Sequence, residues 1–199
     1  MRKLMVINNL SLDGVMQAPG RPDEDRRGGF AHGGWSMPYN DAVKGRTMGE
    51  GMTKAVDLLF GRRTYEDFYS VWPKRTDNPF TPVLNQSRKY VASRTLNESL
   101  PWENSTLLEG DAGDAVARLK QEPGNDLLVM GSGDLLAALI RRNLVDEYML
   151  LIHPLVLGTG RRMFADDGAF ETLTLVNSVP TTTGVIIATY RPTTGQATT

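Results

Sequence analysis

Apolar residues along the chain follow two periods. Runs rich in Val, Ile and Leu predict strands at Lys3–Asn9, Asp57–Phe60, Lys89–Ala92, Thr106–Glu109, Asp126–Met130 and Glu147–Ile152. Several are apolar at consecutive positions, as a strand covered on both faces requires, so a mainly parallel sheet is expected. Between them the apolar positions recur every three or four residues. Ala115, Val116 and Leu119 form one stripe over Asp111–Gln121, and Leu135, Leu136, Leu139 and Ile140 form another over Asp134–Arg142. Met48, Met52 and Val56 predict a further helix before the second strand. Strands alternating with helices define an α/β fold. Phe170–Asn177 and Thr183–Arg191 have no helical pattern between them and read as a terminal antiparallel hairpin turning around Val179-Pro180.

One stretch fits neither period. Gln17 to Asn40 carries Gly20, Gly28, Gly29, Gly33, Gly34, Pro19 and Pro22 among charged residues. It is expected as a long loop, and a loop of about 20 residues inside a compact domain is usually functional or disordered. No internal repeat or linker divides the chain, so residues 1–192 read as a single domain and 193–199, rich in Thr, Gly and Gln, as a disordered tail.

Composition narrows the function. The 199 residues are 40% hydrophobic, enough for a sizeable core, and 22 Lys+Arg against 23 Asp+Glu leave a net charge of -1. No global field draws the chain to nucleic acid or to anionic lipid, so any anion must be gripped locally. The absence of cysteine removes disulfides, thiolate metal sites and cysteine nucleophiles together. The start "MRKLMVINNLSLDG" is interrupted by Asn8 and Asn9 and does not read as a signal peptide, and no apolar run approaches the ~20 residues of a membrane span. A cytoplasmic protein is the expectation.

Four short constellations carry chemistry. In "LLFGRRTYEDF", residues 58 to 68, a strand ends at Gly61 and Arg62, Arg63 and Thr64 open a helix. Backbone N–H groups at a helix start and two guanidiniums suit a phosphate. They serve equally as a solvated Arg pair beside a capping Thr. In "KYVASRTL", residues 89 to 96, Ser93 and Arg94 follow a strand and together suit a phosphate monoester. In "MGSGDLLAALI", residues 130 to 140, Gly131, Ser132 and Gly133 join a strand to a helix starting near Asp134. That turn is either a phosphate cradle or the tightest exit from a buried strand; it is too short for the dinucleotide fingerprint. In "NNLSLDGVM", Asp13 lies in an Asp-Gly turn and offers a carboxylate to a substrate amine or hydroxyl. His32 and His153 have no partners at ligand spacing, so no metal is expected, and no Gly-x-Ser-x-Gly elbow supports a serine hydrolase.

Taken in order, "SLDG" (11–14), "LLFGRRTYEDF" (58–68), "KYVASRTL" (89–96), "LLVMGSGDLLAALI" (127–140), "LVDEYML" (144–150) and "HPLVLGTGRRMF" (153–164) resemble the dihydrofolate reductase-like superfamily. The likeness is greatest to the reductase domain of bacterial riboflavin biosynthesis and covers roughly residues 2 to 191. The resemblance implies a three-layer fold: a mostly parallel sheet, helices on both faces and a C-terminal antiparallel hairpin. It also implies bound NADPH and an oxidoreductase that delivers hydride to a small heterocyclic or ribosylaminopyrimidine-like substrate. Gly61, Arg62, Arg63 and Thr64 would sit at the cofactor phosphates, Ser93 and Arg94 at the 2′-phosphate, and Gly131, Ser132, Gly133 and Asp134 at the pyrophosphate. Pterin reduction and nucleotide binding without catalysis are the alternatives.

The chain departs from those relatives in two ways. It has no cysteines for the zinc deaminase domain that riboflavin-pathway enzymes of this type commonly carry, so it looks like a stand-alone reductase domain. Trp35, Pro38 and Asp41 only loosely match the tryptophan, proline and acid of dihydrofolate reductases, which leaves Asp41 and Asp13 as rival polar groups for the substrate. The resemblance further implies a homodimer, built on the segment from Leu144 to Phe164.

Overall fold

The computed structural model describes residues 1–52, 55–164 and 170–193. Eight strands, β1 (Leu4–Ser11), β2 (Val56–Gly61), β3 (Lys89–Ala92), β4 (Ser105–Leu108), β5 (Asp126–Met130), β6 (Glu147–His153), β7 (Leu173–Pro180) and β8 (Ile186–Pro192), form one sheet in the order β4-β3-β2-β5-β1-β6-β8-β7. The first six are parallel; β8 pairs antiparallel to β6, and β7 antiparallel to β8. In register, Val6 lies opposite Val129, and Ser11 opposite His153.

Five helices, α1 (Ala42–Met52), α2 (Arg62–Val71), α3 (Phe80–Gln86), α4 (Ala112–Gln121) and α5 (Gly133–Arg141), cover both faces. Successive strand side chains point to opposite faces, and this sorts the core. Leu4, Val6, Leu59, Leu127 and Val129 pack with Val116 and Leu119 of α4 and with Leu135, Leu136 and Leu139 of α5. On the other face Leu58, Phe60, Val91 and Leu128 meet Tyr65 of α2, Leu84 of α3 and Trp102. A further cluster around Leu151, Val185 and Ile187 receives Ile7, Tyr39 and Met48. The consecutive apolar positions of the strands are thus the signature of a sheet buried on both sides, as expected.

At the amino ends of the strands, charges are paired. Arg2 and Asp57, both buried, meet at 2.5 Å, and Asn125 Nδ2 donates to Asp57 at 3.0 Å. Lys120 Nζ lies 2.6 Å from Asp146, which also accepts the Leu4 N–H at 2.7 Å.

The structure moves several boundaries and adds a helix. The hairpin turn is Thr181–Gly184, with Thr181 N–H donating to Val185 O at 2.8 Å, and not Val179-Pro180. Pro180 ends an edge strand, where a missing ladder donor costs nothing. Val56 is the first residue of β2 rather than the end of a helical stripe. The helix α3 has no sequence counterpart because Pro82 interrupts its pattern, yet Pro82 occupies the first turn, where its missing N–H has no intrahelical partner in any case.

The segment from Gln17 to Asn40 contains two short 3-10 turns, Arg27–Gly29 and Met37–Tyr39. It is ordered by a small core in which Ala18, Phe30 and Trp35 pack with Val15, Leu155 and Leu157. Gln17 links it internally, accepting the Trp35 indole N–H on its carbonyl at 2.7 Å and donating Nε2 to Arg27 O at 3.0 Å. Of the tail expected to be disordered, Thr193 donates its N–H to Thr172 O at 2.8 Å, and residues 194–199 lie outside the described residues. No helix among the described residues is long and apolar enough to cross a membrane.

Candidate active site

The carboxyl ends of the parallel strands open on one rim, where ligands of open α/β sheets collect. Two glycine turns meet there. Gly61 leads from β2 into α2, and Gly131-Ser132 leads from β5 into α5. The Gly61 N–H donates to Ser132 Oγ at 2.8 Å, and a Cβ added at Gly131 would stand 3.6 Å from Thr64 Cγ2. Gly131 has φ +74° and Ser132 φ +64°, two left-handed residues in succession. For Ser132 that conformation costs roughly 1 kcal/mol, which its hydrogen bond to Gly61 offsets.

The helix starts at this rim differ in their capping. The α1 start is capped by Asp41, whose carboxylate accepts the Lys44 N–H at 2.7 Å, and α4 by Asp111, which accepts from Gly113 and Asp114. The α2 and α5 starts have no side-chain cap. Their leading N–H groups are turned toward the rim without a side-chain acceptor, at the positive ends of two helix dipoles.

Arginines gather around the second turn. Arg161 pairs with Asp134, and its guanidinium lies so close over Gly133 that a Cβ there would stand 2.8 Å from Nε. Arg63 approaches the same carboxylate at 3.7 Å, and the charge of Arg27 also interacts with Asp134. Arg62 meets Glu66 at 3.5 Å on the α2 surface. Beside β2, Ser93 follows β3 and its Oγ accepts the N–H groups of Thr95 at 3.1 Å and Leu96 at 3.0 Å. Arg94 is exposed, with no hydrogen bond or ion pair among the described residues. Gly61, Arg63, Thr64, Gly131, Ser132, Gly133 and Asp134 thus form one cluster, and Ser93 and Arg94 stand at the end of the next strand outward.

Asp13 and Asp41 sit elsewhere on the rim and are occupied. Asp13 accepts from Ser11 Oγ at 2.7 Å and from the N–H groups of Leu157 at 3.0 Å and Gly158 at 2.9 Å; these bonds hold its pKa down at about 2. It ties segment 154–164 to the end of β1. That tie, together with the Arg161 N–H donating to Gln17 Oε1 at 2.9 Å, delivers Arg161 to the Gly133 turn. Asp41, in addition to Lys44, accepts from Thr182 N and Oγ1, each at 2.6 Å, and is likewise held at about 2. Each carboxylate fastens one segment to another.

Between these two anchors lies His153, fully buried at the end of β6. One ring nitrogen, Nε2, is 2.9 Å from Asn9 Oδ1 of β1, and Nδ1 has no partner. Trp35 and Tyr39 stand edge-on to the ring at 5.2 and 5.4 Å. Burial, reinforced by the charge of Lys44, pushes the imidazole down to a pKa of about 4, so it is neutral. The sequence reading missed Asn9, Lys44, Arg161 and the part played by His153. The asparagines that interrupt the first apolar run were the available signal for Asn9; no local pattern marks Arg161. Among the described residues no group of three or more His, Asp or Glu is arranged to hold a metal ion.

This architecture, with its rim of glycine turns, is that of the dihydrofolate reductase-like α/β proteins. Within them the chain belongs to the RibD C-terminal domain family, whose model matches residues 2–187. It is 33% identical over 140 residues to the uncharacterized protein YyaP of Bacillus subtilis (strain 168), covering 67% of this chain and 72% of that one. It is 29% identical over 109 residues to YwjB of the same organism, covering 54% and 57%. Among solved structures it is similar to a Shewanella sp. PV-4 protein assigned to riboflavin biosynthesis, with TM-score 0.68 and 20% identity over 96% of this chain and 99% of that one. It is also similar to a pyrimidine reductase-like protein of Corynebacterium diphtheriae, with TM-score 0.62 and 12% identity over 98% and 93%.

Proposed function

We propose that the protein is an NADPH-dependent reductase of a small heterocyclic substrate, of the ribosylaminopyrimidine type. One observation carries the reading: α2 and α5 both start uncapped, at turns bonded to each other through Gly61 and Ser132, under Arg63 and Arg161. Backbone donors, dipoles and guanidiniums converging on one point suit a pyrophosphate. Asp134 serves by holding Arg161 over the turn, since a carboxylate does not itself meet a phosphate. Ser93 and the exposed Arg94 suit a 2′-phosphate, whose extra charge needs an extra cation.

A nicotinamide held there would supply hydride. The carboxyl ends of β5, β1 and β6, with the 17–40 segment beside them, would border the acceptor. Fluorescence titration with NADPH and NADH tests the reading. Saturable NADPH binding, with Arg94→Ala erasing the preference over NADH, supports it; failure to bind either nucleotide overturns it. The same reading pairs the protein with a second copy, for which the exposed apolar Val156 and Phe164 offer surface. Sedimentation at twice the 22.0 kDa chain mass is expected, and a monomer at micromolar concentration refutes the pairing.

A further inference from the structure

The helix α1 is composed against its own stability. Three of its 11 residues are glycine, in the sequence AVKGRTMGEGM. A glycine inside a helix makes opening about fivefold easier than an alanine in its place. Packing does not ask for Gly45 or Gly49. A Cβ at either would meet nothing within 4 Å, and neither has a positive φ. Each described glycine outside α1 has a positive φ or an atom within 4 Å of its Cβ position.

The helix is also loosely seated. No side chain over 42–50 is buried, whereas α5 buries Leu135, Leu136, Leu139 and Ile140. Met48 alone of those α1 side chains joins a core cluster, the one around Leu151 and Ile187. Lys44 is half-buried, and burial holds its ammonium below the ordinary lysine pKa, opposed only by the charge of Asp41. Closing α1 therefore desolvates a cation that gains no hydrogen bond.

Only the first turn is firmly tied. Asp41 accepts the Lys44 N–H at 2.7 Å and, from the hairpin turn, Thr182 N and Oγ1, each at 2.6 Å. The charge of Lys44 acts on His153, and Met48, one helical turn further on, packs where Ile7 and Leu151 lie. The helix thus runs beside a buried imidazole and across the face of β1 and β6.

We propose that α1 is a shutter. It unfolds on its own, beyond the turn fixed by Asp41, while the sheet and the other helices stay folded. Each opening bares His153 and the face of β1 and β6 to small molecules. Elements that move in function are drawn from the least stable part of a fold, and glycines without a packing duty supply that low stability. Under the reductase reading, opening sets how fast a second substrate enters and leaves this end of the rim. That consequence rests on the reading; the opening itself does not.

Two readouts on the whole chain without nucleotide test this. In hydrogen exchange, the α1 amides are expected to exchange at least about a hundredfold faster than those of β5 after correction for intrinsic rates, and urea below the unfolding midpoint accelerates β5 but hardly α1. Gly45→Ala and Gly49→Ala each slow α1 exchange about fivefold, and together about twenty-fivefold. The second readout is acylation by diethyl pyrocarbonate, located by mass spectrometry. The chain has two histidines, and the exposed His32 is the internal reference. The alanines slow acylation of His153 relative to His32 by the same factors, and Asp41→Ala, which removes the cap, speeds it about fivefold. α1 amides as protected as those of β5, or a His153 rate unmoved by both alanines, overturns the inference. NADPH titration of the same samples is separate, and failure to bind there overturns only the reductase reading.

Discussion

Gly61 donates its backbone N–H to the hydroxyl of Ser132 at 2.8 Å across 71 residues of chain, and this bond sets the spacing between two helix starts. Ser132→Ala removes the acceptor while keeping the left-handed backbone that alanine tolerates no better. A loss of about 1 kcal/mol is expected, seen as a melting temperature lower by about 2–4 °C. NADPH affinity falls with it, because the two sets of N–H groups are no longer held in register. A melt and a nucleotide titration of the same variant check both.

Arg161 reaches the Gly133 turn from a distant segment and is held there by Asp134. Arg161→Ala is expected to weaken NADPH by about tenfold and to flatten the dependence of binding on salt, as the loss of a phosphate-directed cation does. Titrations at two ionic strengths measure this; an unchanged salt slope would count against any contact with the phosphates.

Asp13 works by attachment. Asp13→Asn retains the shape but loses the ionised acceptor of two backbone N–H groups and one hydroxyl, an expected cost of about 1–3 kcal/mol. The loss concentrates in residues 155–163, whose amides exchange faster with deuterium. Because its pKa in the folded protein is lowered to about 2, the stabilisation is present above the ordinary carboxylate value of 3.8 and disappears as pH falls toward 2.

His153 sets a second acid sensitivity at higher pH. Its pKa drops from 6.5 in the unfolded chain to about 4 in the folded one, so unfolding takes up a proton anywhere between these values. Stability is at its full value above pH 6.5 and declines by about 3 kcal/mol as pH falls to 4. His153→Gln flattens this part of a stability-against-pH curve measured with urea.

The sheet and the glycine turns were legible in the sequence because each is a local event. Consecutive apolar residues at 127–129 mean burial on both faces, and Gly131 marks a chain reversal wherever it occurs. Arg161 was not legible, since it acquires its place from contacts between segments far apart. Asp13 and Asp41 drew attention as free carboxylates, but whether a carboxylate is free depends on which N–H groups the fold brings to it. The hairpin turn lies at Thr181–Gly184, beyond Val179-Pro180, since proline signals a turn in isolation and an edge-strand end in context.

The paired charges at the amino ends of the strands divide the labour of the molecule. Arg2, Asp57, Lys120 and Asp146 lock one end of the sheet, while the glycine turns and their arginines stand at the other. Substitutions at the rim that spare its anchors, Asp13, Asp41, Ser132 and His153, therefore leave that lock in place. A lineage built on this plan can alter its rim one residue at a time while the far end of the sheet keeps its footing.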